Sequence, residues 1–156
     1  MAGDSLVRYE FSQQLERLRQ FSGRATELIS LYVPPERKIH EVMSYLRNEA
    51  SQSSNIKSKS TRKNVGAALE SIMSRLKAYK APPETGLIFF VGHVSKGAGQ
   101  TEMIQEVVAP PESVGAFLYR CDNRFFLEPL EQLQEIKEQY ALLVIDRSEA
   151  TLGILR

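Results

Sequence analysis

Phe11, Leu15, Leu18 and Phe21 recur every three or four positions, with Glu16, Arg17 and Arg19 between them. That spacing predicts an amphipathic helix over Ser5–Phe21. Ser22-Gly23 stops it, and Leu28–Val33, with its Ile, Tyr and Val, has the composition of a buried strand. Pro34-Pro35 removes two amide donors and ends that strand. Ile39, Val42, Met43 and Leu46 mark a second helix from about Glu36 to Ala50, and Val65, Leu69, Ile72, Met73, Leu76 and Tyr79 mark a longer third one. Between the two, Ser51-Gln52-Ser53-Ser54-Asn55 carries no apolar side chain. It reads as the exposed connection of a helical hairpin, with its tip at Gln52 to Ser60. Ser58, Ser60 and Thr61 each offer an N-cap oxygen to the third helix, which leaves its start open by two or three residues.

After Pro82-Pro83 the pattern changes to strands. Gly86–Val94 and Thr101–Val108, joined through Lys96-Gly97-Ala98-Gly99, read as a β-hairpin. Ala116–Cys121 reads as a strand, Pro129–Gln139 as a short helix and Ala141–Ile145 as a buried strand, with another beginning at Thr151–Leu155. The order of elements predicts an α+β fold, an α/β sandwich: one central, mostly antiparallel sheet flanked by helices, with the hairpin protruding.

Composition narrows the function. The 156 residues, 42% hydrophobic and 25% charged, suit a single folded domain with a core of its own. No apolar run approaches the roughly 20 residues of a membrane span, and no charged-then-apolar leader opens the chain, so a cytoplasmic location is expected. One cysteine and two distant histidines make a disulfide or a structural metal improbable, and no cofactor is expected. Net charge is only +1, but its distribution is uneven. From Lys57 to Lys80 seven cations stand against one acid, Glu70, and four of them (Lys57, Lys59, Arg62, Lys63) crowd the start of a helix. Such a run reads first as a solvated helix face, but cations at a helix start oppose the macrodipole, which invites another explanation such as phosphate contact.

At the hairpin tip stands Asn55-Ile56-Lys57-Ser58. An exposed Asn amide can pair with a base edge in both directions, Lys57 offers charge to a phosphate or carbonyl, and Ile56 can pack on an unstacked base, a combination suited to single-stranded RNA. The tetrapeptide alone reads equally well as an ordinary serine-rich turn. Tyr119 and Cys121 share one strand face, and spacing alone favours that face as core. Glu49 alone reads as a solvated helix-end acid.

The tetrapeptide matches the signature of the class I release factors of archaea and eukaryotes, which this chain resembles over essentially its whole length. Tyr119-Arg120-Cys121-Asp122-Asn123-Arg124-Phe125 fits the family's second pattern of Tyr, any, Cys, three of any, Phe. Leu28-Ile29-Ser30-Leu31 before Pro34-Pro35, and Val144-Ile145-Asp146, are similar to the family as well. The resemblance implies a stop-codon-reading domain that enters the ribosomal A site. Asn55, Ile56, Lys57 and Ser58 form its tip, with Asn55 and Lys57 on the uridine; Glu49, Tyr119 and Cys121 meet the purines, and Thr26 the last base. Phe125 completes the second motif and is expected among the stop-codon-binding residues. The implied partners are the mRNA stop codon, small-subunit rRNA, the factor's own middle and C-terminal domains and, through them, a translational GTPase, with no membrane. The family's Gly-Thr-(Ser or Glu) loop reads Ala25-Thr26-Glu27, so a positive φ at Ala25 would be strained.

The family's catalytic Gly-Gly-Gln tripeptide is not in this sequence; Gly97-Ala98-Gly99-Gln100 lies in a predicted hairpin turn. The chain is then expected to be non-catalytic, a fragment or a stand-alone copy. Two rivals stand beside this reading. One is a ribosome- or protein-binding paralogue without codon reading, to which Ala25 lends some weight. The other is a phosphate enzyme built on Lys96–Gln100, disfavoured because that run lacks the Gly-Lys-Ser/Thr ending and leads into a strand.

Overall fold

Six consecutive buried residues, Leu28–Val33, form the strand on which the rest is built (β1). The computed structural model describes residues 2–134 and 142–143, in two compact units, Met1–Phe126 and Leu127–Arg156. In the first unit β1 is flanked by β2 (Leu87–Gly97) and β4 (Leu118–Asp122), and β3 (Gln100–Val108) lies beyond β2. The order is β3-β2-β1-β4, every neighbouring pair antiparallel. The described helices of the first unit are α1 (Ala2–Arg19), α2 (Ile39–Ser53) and α3 (Lys59–Leu76). The α+β fold expected from the sequence is the one observed.

Register sorts the strands onto two faces. Ile29, Leu31 and Val33 stand opposite Val91, Phe89 and Leu87 on β2, and Ile29 and Leu31 stand opposite Cys121 and Tyr119 on β4. This face packs under α2 and α3, where Val42, Met43, Leu46, Val65, Ala68, Leu69, Ile72 and Leu76 are buried. The other face carries Tyr32, Phe90 and Ser30, joined by Phe21, Phe125 and Phe126 in edge-to-face contacts. α1 reaches this face through the Arg17–Glu106 ion pair, Glu106 standing opposite Phe90. Because both faces of β1 are covered, its sequence is apolar apart from Ser30 and does not alternate.

The boundaries shift in instructive ways. α2 continues to Ser53, so Ser51–Ser53, expected in the exposed connection, form its last turn and the loop shrinks to 54–58. Serine is a poor helix former but does not break a helix already nucleated by a buried face. α1 ends at Arg19, before Phe21. β2 and β3 run on to Gly97 and Gln100, leaving Ala98 and Gly99 (φ 52 and 77) as a two-residue turn of the kind that suits hairpin twist. In the second unit residues 128–134 are helical. Leu142 and Leu143 are helical and exposed, which overturns the buried strand expected at Ala141–Ile145, since periodicity in so short an apolar run cannot separate helix from strand. The remainder of that strand, residues 135–139 of the expected Pro129–Gln139 helix, and Thr151–Leu155 lie outside the described residues.

Candidate functional site: a two-part polar surface on the hairpin face

The tetrapeptide is held by its own backbone. Ser54, Asn55 and Ile56 donate their amides to Ser51, Gln52 and Ser53 in successive three-residue turns, at 3.3, 3.0 and 3.1 Å. Ser58 is the N-cap of α3, its Oγ accepting from the Thr61 amide at 3.3 Å, which closes the choice among three candidate caps. The Arg62 guanidinium donates to the Ile56 carbonyl at 3.1 Å, clamping the loop against α3. Ile56 packs on the hairpin core. Asn55 and Lys57 are exposed, and among the described residues their side chains form no hydrogen bond or ion pair. No acid occupies the first turn of α3 to offset Lys57, Lys59, Arg62 and Lys63.

The second part lies where β4 meets α2. Tyr119 and Cys121 both pack against the hairpin core. The Tyr119 ring stands 5.6 Å from that of Tyr45, which also meets Phe117 at 5.1 Å. Tyr45 lies within electrostatic reach of Glu49, four residues on; burial first, then the Glu49 charge and hydrogen bonding toward it, raise the Tyr45 pKa. Tyr119 is pushed well up by burial and by the neighbouring Cys121, Glu49 and Tyr45, so it stays a neutral phenol. Burial, helped by Asp122, Glu49 and Glu27, pushes the Cys121 thiol up to about 11, so Sγ keeps its proton and donates to the Thr26 carbonyl at 3.2 Å.

That bond ties β4 to the loop before β1. Thr26 is exposed there, while Glu27 is 4% exposed and accepts from Asn64 of α3 at 3.0 Å. Gly92 lets the loop settle, since a Cβ there would meet the Glu27 carbonyl oxygen at 2.6 Å. Ala25 is not in the left-handed region, so the strain anticipated for the lost glycine does not arise, and the support it lent to the paralogue reading goes with it.

The structure thus gathers Thr26, Glu49, Tyr119 and Cys121, and places the tetrapeptide at the end of the same hairpin. It does not bring Phe125 to them. Phe125 is 6% exposed and wedged between Phe21 and Phe90 on the opposite face of the sheet, at ring separations of 6.3 and 5.4 Å. Direct contact with a base, as the resemblance implies for this residue, is not available to a side chain sealed in that core. Reading the sequence alone overlooks Tyr45, Asn64 and the Glu27 carboxylate. Tyr45 has a usable signal in its four-residue spacing from Glu49; Asn64 and Glu27 meet only through the fold. Among the described residues no group of three His, Cys, Asp or Glu side chains could hold a metal ion, and no helix is long and apolar enough to cross a membrane. The Gly97–Gln100 run is an exposed hairpin turn entering β3, with no helix N-terminus to cradle a phosphate.

Residues 6–135 match the family model described as eRF1 domain 1. Over its full 156 residues the chain is 58% identical to peptide chain release factor subunit 1 of Picrophilus torridus, of which it covers 38%. It is 56% identical to the protein of that name from Thermoplasma acidophilum, over 97% of this chain and 36% of that one. A solved structure titled as archaeal translation termination factor aRF1 superposes with a TM-score of 0.72 at 38% identity, covering 81% of this chain and 34% of the other. The chain therefore spans little more than a third of the length of these relatives.

Proposed function

The chain belongs to the eRF1 domain 1 family, and from that premise we propose that it reads stop codons for a peptide chain release factor in the ribosomal A site. The observation that carries this reading is the gathering of Thr26, Glu49, Tyr119 and Cys121 on the hairpin face, below a tip whose Asn55 and Lys57 are free. The chemistry is differential. Lys57 supplies charge and Asn55 a two-way amide to the uridine. The Glu49 carboxylate accepts from a purine amino group and repels a guanine carbonyl oxygen. Tyr119, kept neutral, gives a ring edge and a hydroxyl. Cys121, kept protonated and bonded to the Thr26 carbonyl, sets the loop so that the Thr26 hydroxyl faces the last base. Phe125 acts from beneath, as the anchor that fixes the end of β4.

In this reading residues 1–156 recognise without hydrolysing. The Gly-Gly-Gln-bearing middle domain, the C-terminal domain and the translational GTPase reached through them act outside this chain, in the cytoplasm. The chain's share of its relatives' length supports that division. The test is site-directed cross-linking from a thio-substituted uridine at the first codon position on programmed ribosomes. Cross-links to residues 55–57 with a stop codon, and none with a sense codon, are expected; equal cross-linking with both would sink the reading.

A further inference from the structure

Seven of the chain's cations lie between Lys57 and Lys80, but a second basic concentration forms at the other end of the hairpin. There the first turns of α2 and the segment after α3 enclose an open cavity of about 570 Å³. Arg37, Lys38, His40, Arg47 and Lys80 line it, with Glu36 as the acid and Met43 and Tyr79 among the less polar neighbours. His40 and Arg47 lie seven residues apart, two turns along one face of α2. Arg37 is already committed: its Nε stands 3.6 Å from Glu41 and its guanidinium 4.6 Å from the centre of the Phe117 ring. Lys38, Arg47 and Lys80 are exposed, and among the described residues they form no ion pair. The α2 N-terminus opens beside them with Lys38 as its cap and no side-chain cap bond, so the positive end of the helix dipole adds to the same field.

The geometry points to a second RNA contact here: a groove in which Lys38, Arg47 and Lys80 grip ribosomal RNA phosphates, its Lys38 end about 22 Å along α2 from the tetrapeptide. This site holds the domain on the ribosome whatever codon is present. Phosphate is the fitting ligand because three unpartnered cations from two separate segments converge on one open groove, with the His40 and Tyr79 rings there for a base or sugar to rest on. The inference rests on the decoding reading only in taking ribosomal RNA as the partner.

The test measures binding to small ribosomal subunits programmed with stop or sense codons across a salt series. The variants are the triple Lys38→Gln, Arg47→Gln, Lys80→Gln; the charge-keeping triple Lys38→Arg, Arg47→Lys, Lys80→Arg; and Lys57→Ala. The Gln triple is expected to weaken binding on the order of tenfold by the same factor on both codons, and to lower the log–log salt slope by about 2, as for three lost phosphates. The charge-keeping triple should bind as the parent does. All three positions are exposed, so the folded state, checked by circular dichroism, should be unaffected. An unchanged affinity and slope in the Gln triple would overturn the proposal, as would displacement of the chain from the ribosomal particle by an acidic peptide and not by a short RNA. The decoding reading fails on a different readout, a stop-to-sense ratio of one in the parent chain, so the two failures are distinguishable.

Discussion

The two faces of the sheet are built from alternate residues of the same strands, yet they do opposite things. Toward the hairpin, β4 presents Tyr119 and Cys121 to a neighbourhood that keeps Glu49, Tyr45 and Glu27 within electrostatic reach. Toward α1, the chain just past β4 presents Phe125 and Phe126 to an aromatic cluster with Phe21, Tyr32 and Phe90. Here the polar groups serve only as fasteners: Ser30 Oγ accepts from the Phe126 amide at 2.8 Å, Tyr32 donates to the Phe126 carbonyl, and the Arg120 guanidinium lies 4.0 Å over the Phe126 ring. The Tyr-x-Cys-x-x-x-Phe stretch is therefore one motif divided between two faces, its first half partly buried on the hairpin face and its second half buried as a foundation. A motif's residues need not share a role because they share a pattern.

The largest expected effect tests the foundation. Phe125→Ala should cost about 3–5 kcal/mol of stability, the range for truncating a buried aromatic, read as a lower urea midpoint with a similar slope. Codon preference, measured in the joined full-length factor at a temperature where the variant is folded, should not move. A preference that changes while stability holds would put Phe125 back on the reading surface.

Substitutions on the other face should do the reverse. Lys57→Ala removes a charge-assisted contact worth about 1.5–3 kcal/mol and should lower release at all three stop codons together. Glu49→Gln keeps the shape but adds donors able to face a guanine oxygen, so the stop codons should shift relative to one another by about 1–3 kcal/mol per edge contact. Release on each stop codon and on the tryptophan codon separates the two. A common factor across all codons for Glu49→Gln would make Glu49 structural.

Cys121 sharpens the comparison through pH. Its thiol is raised from an ordinary 9.0 to about 11, with burial as the leading cause. In the unfolded chain the thiol ionises first, so between those values the unfolded state binds fewer protons than the folded one. The stabilisation is therefore fully present below pH 9 and lost as pH rises through about 11. Alkylation of the native chain should accordingly be slow at a pH of about 8, where a raised thiol holds little thiolate, and rise toward a midpoint near 11. A midpoint at the ordinary value would mean that Cys121 is not buried on the hairpin face as described.

Much of this arrangement is legible in the residues. The hairpin, the central antiparallel sheet and the β2–β3 turn follow from periodicity and from Gly and Pro, because those signals are local. The end of α2 escapes such a reading because a helix already nucleated on its buried face runs on through Ser51, Gln52 and Ser53, positions that propensity would leave out. Leu142 and Leu143 escape it because a short apolar run does not declare its period. At the site, exposure of Asn55 and Lys57 follows from a polar tip, whereas the Glu27–Asn64 bond joins residues 37 positions apart and leaves no local trace. The place of Phe125 cannot be read either, since strand alternation ends at Asp122 and says nothing of where the chain goes next.

The smallest expected effect probes the residue that local spacing ought to reveal. Tyr45 brings its hydroxyl within electrostatic reach of Glu49 and braces Tyr119 and Phe117 through its ring. Tyr45→Phe removes only the first function. Because the ring stays, the unfolding midpoint should shift little, by no more than the roughly 0.5–1.5 kcal/mol of an ordinary polar contact. Freed from its partner, Glu49 should sample more positions and discriminate less well among purine edges. Codon ratios should then move in the same sense as in Glu49→Gln, but by less, and Tyr45→Phe combined with Glu49→Gln should add nothing beyond Glu49→Gln alone. Full additivity in that double-mutant cycle would mean the two side chains act separately, and Tyr45 would belong to the packing of the hairpin face and not to its reading surface.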